Sequence, residues 1–430
     1  MRRINLPFIF LFAFFYSCQR PEHVSQRELD NIAQSYVKLS LGVGQYSPLF
    51  VDAYYGPESW RPSGKKKDVL PYEEFKWQCM NLMDRLKDLD NSYLDSLELL
   101  RYNFLNKQLL AVYTELDMMA GKSLPFDVES MALYDAVAKE KGQAYYDSLM
   151  NNLDRLLPGS GDITERYLAF RKQFIIPIDK VDTVFKAAIA EARKRVKKYI
   201  KLPDNESFTI EYVQGKPWSG YNWFKGDAHS VIQVNTDLPI SIDKALDLAC
   251  HEGYPGHHVY NTLLEDRLVK NMKWYEFQIY PLFTPQSLIA EGSANYGIDI
   301  TFPLKDRIAF EKHTLFPLAS LDIDEVEHYY LIKNIRKQLR SYEVEIARKY
   351  LSNQLSKANA LIMMRHYFQF SPGRALQRLN FYQTYRSYII NYSVGEKLIK
   401  THVEEQSRNK QERWHSFMEI LSTPRTASTL

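Results

Sequence analysis

Residues 250–260 read Cys250-His251-Glu252-Gly253-Tyr254-Pro255-Gly256-His257-His258-Val259-Tyr260, which places three of the chain's ten histidines and one carboxylate within eight residues. In the pattern H-E-x-x-H, two histidines four apart share a helix face and bind zinc, while the adjacent glutamate activates water. Here the fourth residue after His251 is Pro255. On an unbroken helix, His258 would return to the face of His251 about 10 Å farther along the axis, at ~1.5 Å per residue, and His257 would point elsewhere. Pro255 removes a ladder hydrogen bond and Gly256 tolerates unusual dihedrals, so the turn can widen by two residues. The widened turn puts His257 in the place of the second ligand, with His258 as the competing choice.

A third ligand is needed. In Thr284-Pro285-Gln286-Ser287-Leu288-Ile289-Ala290-Glu291-Gly292-Ser293-Ala294-Asn295-Tyr296, Thr284 can cap a helix and Pro285 suits its first turn, which leaves Glu291 inside it. Gly292, Ser293 and Ala294 are small enough for this helix to approach the first. Asn295, one turn on, is placed to hydrogen-bond a ligating histidine. The expected metal is Zn2+, held by His251, His257 and Glu291. Glu252 is then the general base and His258, if not a ligand, a donor to the tetrahedral oxyanion.

Helical periodicity dominates the rest: 28–41, 73–89, 93–119, 180–202, 242–269, 324–355 and 373–390 carry apolar residues at three and four. Two stretches alternate as half-buried strands, 207–213 and 229–235. The second is expected to be an edge strand beside the metal helix, able to pair with an extended peptide, with His229 and Asn235 near the cleft. The intervening segment, rich in Gly and aromatics, reads as a loop or hairpin, with Trp218, Tyr221, Trp223 and Phe224 as candidate pocket lining. The fold class is therefore mainly α: a large helical body with a small β-sheet or hairpin beside the active-site helix. Residues 19–200 form an N-terminal helical part and 201–430 the part bearing the site, expected to be one continuous body. The tail after Leu421 is expected to fray.

A net charge of +3 argues against a nucleic-acid partner, and 45% hydrophobic with 25% charged residues is the balance of an ordinary folded chain. The basic run 193–198 follows Glu191 and keeps helical spacing, so it reads as a solvated helix face. At the N-terminus, two arginines precede an apolar run from Leu6 to Phe15, too short to span a bilayer, and then Tyr16-Ser17-Cys18. Residues 1–18 thus read as an export signal ending in a lipobox, with Cys18 cleaved before and lipidated; an ordinary secretory signal with an incidental Cys18 is the other reading. That gives a chain exported to the cell envelope and anchored to a membrane. Cys79 and Cys250 are expected as buried thiols.

"VDAYYGP" (51–57), "VNTDLP" (234–239), "HEGYPGHH" (251–258), "EGSANY" (291–296) and "SPGRAL" (371–376) occur in the order found in the bacterial domain-of-unknown-function family 885, which the chain resembles. The resemblance implies a mostly helical, zincin-like metallopeptidase, often exported, with no assigned physiological substrate. The chain departs from the family's pattern at Ser293, where many members have tryptophan, at Asn295, and at Arg378, where relatives often carry tyrosine. With that tyrosine absent, Arg374, Arg378, Tyr382 and Tyr385 are the candidates for an oxyanion or substrate contact. The expected activity is hydrolysis of peptide or related amide bonds. The alternatives are a carboxypeptidase using Arg374 or Arg378 to grip a terminal carboxylate, and an anchored binding protein on an inert scaffold.

Overall fold

The computed structural model describes residues 21–430, apart from 217 and 238. The signal segment and Cys18 lie outside the described residues. Helices make up most of the body, as the periodicity predicts. Long amphipathic stretches become Pro21–Gly44, Tyr72–Asp88, Ser96–Met119 and Val181–Val196. Ser96–Met119 starts where Asp95 accepts from Leu97 N and Glu98 N, both at 2.8 Å, while the Glu98 carboxylate accepts from Asp95 N at 2.9 Å. Such reciprocal capping contributes about 1 kcal/mol.

The expected helix 242–269 is interrupted. Ile242–Leu248 is α-helical, Ala249–Gly253 is a widened π turn, and a new helix runs His257–Leu264. The stretch 324–355 likewise divides, into Val326–Leu339 and Tyr342–Leu351, the latter buried on every face from Tyr342 to Arg348.

The strands among the described residues are β1 (Val51–Tyr54), β2 (Ser207–Val213), β3 (Gly220–Gly226), β4 (His229–Asn235) and β5 (Ile279–Pro281). β1 pairs antiparallel with β5. The other three form a sheet in the order β2-β4-β3, with β4 parallel to β2 and antiparallel to β3. The strand expected at the edge, β4, is therefore central, and β2 and β3 are the edges.

One apolar core runs from Leu29 on the first helix to Leu421 on the last. A buried ion pair ties its early and late parts together. Arg101, 3% exposed, reaches Glu276 through Nε at 2.5 Å and Nη2 at 3.0 Å, and stacks over Trp274. The tail is not frayed. Thr423 and Thr426 are buried, Ser428 N donates to Asp135 at 2.7 Å, and Leu430 O lies 3.0 Å from His402 Nδ1. Those partners sit far off in sequence, so a short polar tail gave no local sign of them. Cys79 and Cys250 are buried free thiols.

Candidate metal centre

The π turn is what brings the histidines together. Tyr254 N donates to Ala249 O at 3.0 Å and Gly256 N to Cys250 O at 2.9 Å, spans of five and six residues in place of the α-helical four. Gly256 lies against the backbone it closes on. A Cβ there would stand 1.8 Å from His251 O and 2.5 Å from Cys250 O, so only glycine fits. Helical hydrogen bonding resumes with Tyr260 N on Gly256 O at 2.9 Å. The Tyr254–Pro255 peptide is cis.

The result is that His251, His257 and Glu291 offer ligand atoms all within 4.8 Å of one another. Glu291 Oε2 is 3.3 Å from His251 Nε2, and Glu291 Oε1 is 3.9 Å from His257 Nε2. A tetrahedral ion with bonds of ~2.0–2.1 Å needs donors roughly 3.3 Å apart; Glu291 and His251 already have that spacing, and the other pairs, within 4.8 Å, must close toward it. The donor chemistry also fits a cation. Glu291 Oε2 is buried and lacks a hydrogen-bond partner. Burial holds the His257 imidazole down at about 4, hence neutral, and for Glu291 the two histidines and Tyr388 outweigh burial and keep the carboxyl below its ordinary range. The His251 ring is shifted down by burial but up by Glu291 and Glu252, which prevail.

Glu252, on the same turn, is 5% exposed, and burial pushes its carboxyl up to about 7, opposed by His251 and reinforced by Glu291. It faces β3: a Cβ at Gly220 would lie 3.2 Å from Glu252 Oε1, and Asn222 Nδ2 donates to Glu252 O at 2.8 Å. Both carboxylates and both histidines line a cleft of about 2040 Å3, larger than the ~300–1,000 Å3 of ordinary small-molecule pockets. Trp218, Tyr221, Trp223 and Phe224 line it too, and the Tyr221 hydroxyl donates to Asp52 on β1.

His258 is elsewhere. It is fully buried, with Nδ1 2.8 Å from Ser230 Oγ and Nε2 2.9 Å from Glu206 Oε1. Both ring nitrogens are occupied beneath the turn, so neither the ligand alternative nor the oxyanion role is open to it. Glu206 also accepts from the Tyr254 hydroxyl and from Arg193 Nη2 at 2.8 Å. Arg193 stays partly exposed, as the solvated-face reading has it, while its guanidinium anchors Glu206.

Other expectations are corrected. His229 pairs with Ser207 at 3.1 Å, and Asn235 is buried, donating to Lys216 O and Trp218 O, because β4 lies inside the sheet; neither lines the cleft. Asn295 donates to Tyr392 O at 3.1 Å and not to a histidine. Thr284 Oγ1 donates to Pro281 O and leaves the helix N-terminus without a side-chain cap. Gly292 makes room for Gly395 and not for the first helix: a Cβ on Gly292 would meet the Gly395 carbonyl carbon at 2.4 Å. Gly297 is the position facing Pro255.

Arg374 and Arg378 line the cleft, but Arg378 is engaged by Glu343 Oε2 at 2.5 and 2.9 Å and Arg374 bonds Gln377 at 2.6 Å. Tyr382 is fully buried, with no hydrogen-bond partner for its hydroxyl, and does not line the cleft; Tyr385 does. His328 bonds Leu156 O and Glu325, a structural role, and His366 stacks edgewise on Tyr367. Sequence reasoning missed Tyr388, whose hydroxyl donates to Glu291 Oε1 at 2.9 Å, and Glu206, which sits in a short polar stretch after Pro203 with no motif around it.

No family model matches the chain, and no curated protein matches it. Among solved structures, one described as "the putative lipoprotein from Colwellia psychrerythraea" superposes on 81% of this chain with 13% identity and a TM-score of 0.53, and the chain spans only 65% of that structure's length. A "putative lipoprotein of unknown function from Shewanella oneidensis" aligns with 82% of this chain and 71% of its own, at 13% identity and a TM-score of 0.47. An M32 carboxypeptidase from Deinococcus radiodurans R1 aligns with 93% and 90%, at 12% identity and a TM-score of 0.37. The first of these establishes a shared fold. Among the described residues no helix is long and apolar enough to cross a membrane.

Proposed function

We propose that the chain is a zinc-dependent hydrolase of peptide or related amide bonds, a peptidase of the bacterial cell envelope within the zincin-like family its motifs resemble. The observation that carries this reading is the convergence of His251, His257 and Glu291 beside a buried Glu252 in one long cleft. When bound, zinc supplies Lewis acidity, polarising a carbonyl and acidifying water. His251 and His257 would hold it with Glu291, all three of which line the cleft. A carboxyl held near 7, as for Glu252, is matched to accepting a proton from water and returning it to the leaving amine. β3, at the sheet edge and in contact with Glu252 through Gly220, is the strand suited to align an extended peptide by backbone hydrogen bonds.

The test is metal analysis followed by chelator-sensitive cleavage of a peptide library. Glu252→Gln is expected to retain zinc and lose cleavage. Protein that takes up no zinc on titration overturns the reading, and a zinc-loaded protein that cleaves nothing favours the anchored binding protein.

A specific observation favours a second reading, action at chain ends. Arg340, Arg374 and Arg378 line the same cleft, and Glu343 is the carboxylate paired with Arg378. Comparing library members with free and blocked C-termini separates the two. The envelope location rests on the apolar N-terminal run followed by Cys18 and agrees with the lipoprotein description of the Colwellia structure similar in fold. Mass spectrometry of the mature N-terminus tests it: an unmodified residue beyond Cys18 excludes the lipid anchor.

A further inference from the structure

Tyr388 reaches Glu291 from a turn that the chain adopts against its own backbone preference. The helix Pro372–Tyr385 ends at Arg386, whose φ of 47° and ψ of −122° fall in a region that L side chains rarely occupy. The short turn Arg386–Ile389 follows, and it carries Tyr388. One carboxylate from far away in sequence accepts from both the strained residue and its successor, while Arg386 Nη2 also donates to Leu124 O at 3.5 Å. Glu129, 1% exposed on the helix Phe126–Tyr134, accepts Arg386 Nε at 2.7 Å on one oxygen. Its other oxygen accepts Ser387 N at 3.1 Å and Ser387 Oγ at 2.6 Å. The next residue is Tyr388, packed edge-on against Tyr134 of the same helix and donating to Glu291 Oε1.

We infer that Glu129 is a positioning residue for the metal centre: it locks the Arg386 turn so that the Tyr388 hydroxyl is delivered to the ligating carboxylate Glu291. The inference rests on the metal reading above and extends it to a residue that lines neither the cleft nor the ligand set. Physically, a hydrogen bond to one oxygen of Glu291 fixes the rotation of the carboxylate and so which oxygen it presents to a cation. A turn free to relax toward ordinary dihedrals would swing Tyr388 and forfeit that orientation.

The experiment measures the zinc dissociation constant by chelator competition, together with the visible spectrum of the Co2+-loaded protein, for wild type, Glu129→Gln, Tyr388→Phe and the double variant. Removing such outer partners typically costs about 10–100-fold in metal affinity. Glu129→Gln and Tyr388→Phe are each expected to weaken zinc by at least about tenfold and to shift the Co2+ spectrum alike, and the double variant to bind no more weakly than Tyr388→Phe alone. Wild-type affinity in Glu129→Gln, or a double variant whose loss is the product of the two single losses, overturns the inference while leaving the metal site standing. Wild-type protein that binds neither ion overturns both. Should Glu129→Gln not fold, Ser387→Ala removes a single bond at the same turn. A smaller weakening that disappears in the Tyr388→Phe background supports the inference, and unchanged affinity overturns it.

Discussion

Replacing Glu206 by Gln tests the anchor beneath the metal turn. Burial alone would raise the Glu206 carboxyl, but hydrogen bonds from His258, Tyr254 and Arg193 outweigh it and hold it at about 2, against an ordinary 4.5. A difference of roughly 2.5 units at ~1.36 kcal/mol per unit sets a ceiling of about 3.4 kcal/mol of stability carried by the ionised form. A realised value of about 2–3 kcal/mol is expected, since the unfolded chain keeps some structure. The sign follows from the depressed value: the contribution is complete above about pH 4.5 and is lost as pH falls through about 2. Urea unfolding of wild type and Glu206→Gln should therefore differ by about 2–3 kcal/mol at pH 7, by roughly half that near pH 3, and hardly at all near pH 2. A gap that stays constant from pH 7 to pH 3 would refute the electrostatic account and assign the loss to shape. A gap below about 0.5 kcal/mol throughout would mean that the network contributes nothing net, as some buried ion pairs do.

Gly256→Ala places a methyl group 1.8 Å from His251 O. The loss should exceed the ~1–3 kcal/mol of ordinary overpacking and should abolish zinc uptake, both readable by calorimetry. Arg101→Ala leaves Glu276 buried without its partner and is expected to lower unfolding stability by about 3–5 kcal/mol, checked by denaturant titration. Gly395→Ala, whose Cβ would sit 2.6 Å from Leu288 O, should push the Glu291 helix off its neighbour and weaken zinc binding. His258→Gln keeps a polar group between Ser230 and Glu206, so it should cost stability while zinc stoichiometry stays at wild-type level, as read by metal analysis.

What the sequence made legible was local. The H-E-x-x-P-G-H spacing carries its own geometry, because a proline and a glycine between ligands leave a widened turn as the way for His251 and His257 to converge. Choosing between His257 and His258 needed the third dimension, since what occupies His258 is Ser230 on β4 and Glu206 before β2. Strand alternation identified β2 and β4 but could not say which strand lies between the others. β3 bears out the hairpin alternative for its segment, which stood beside a loop because glycines flank the strand and its aromatics lie on both faces. On the second helix, Asn295 does lie one turn from Glu291, yet the neighbour on that side is the turn Asn391–Gly395, a contact formed across nearly a hundred residues.

The long-range anchors also bear on how much of the chain the centre requires. His258 and Tyr254 converge on Glu206, which is paired with Arg193, and the Tyr388 turn closes on Glu129. Arg193 and Glu129 both belong to the segment before residue 200, whereas the four residues that line the cleft at its chemical end lie after residue 250. Ligand placement to a few tenths of an ångström is set by whatever fixes the ligands' neighbours, and here part of that support, Arg193 behind Glu206 and Glu129 behind the Tyr388 turn, comes from the other half of the chain. A fragment of residues 201–430 would keep every proposed ligand and Glu206 but lose Arg193, Glu129 and the core contacts of the early helices. Failure of that fragment to bind zinc tightly would follow from the geometry, and tight binding by it would mean that the turn at Pro255 and Gly256 is self-sufficient.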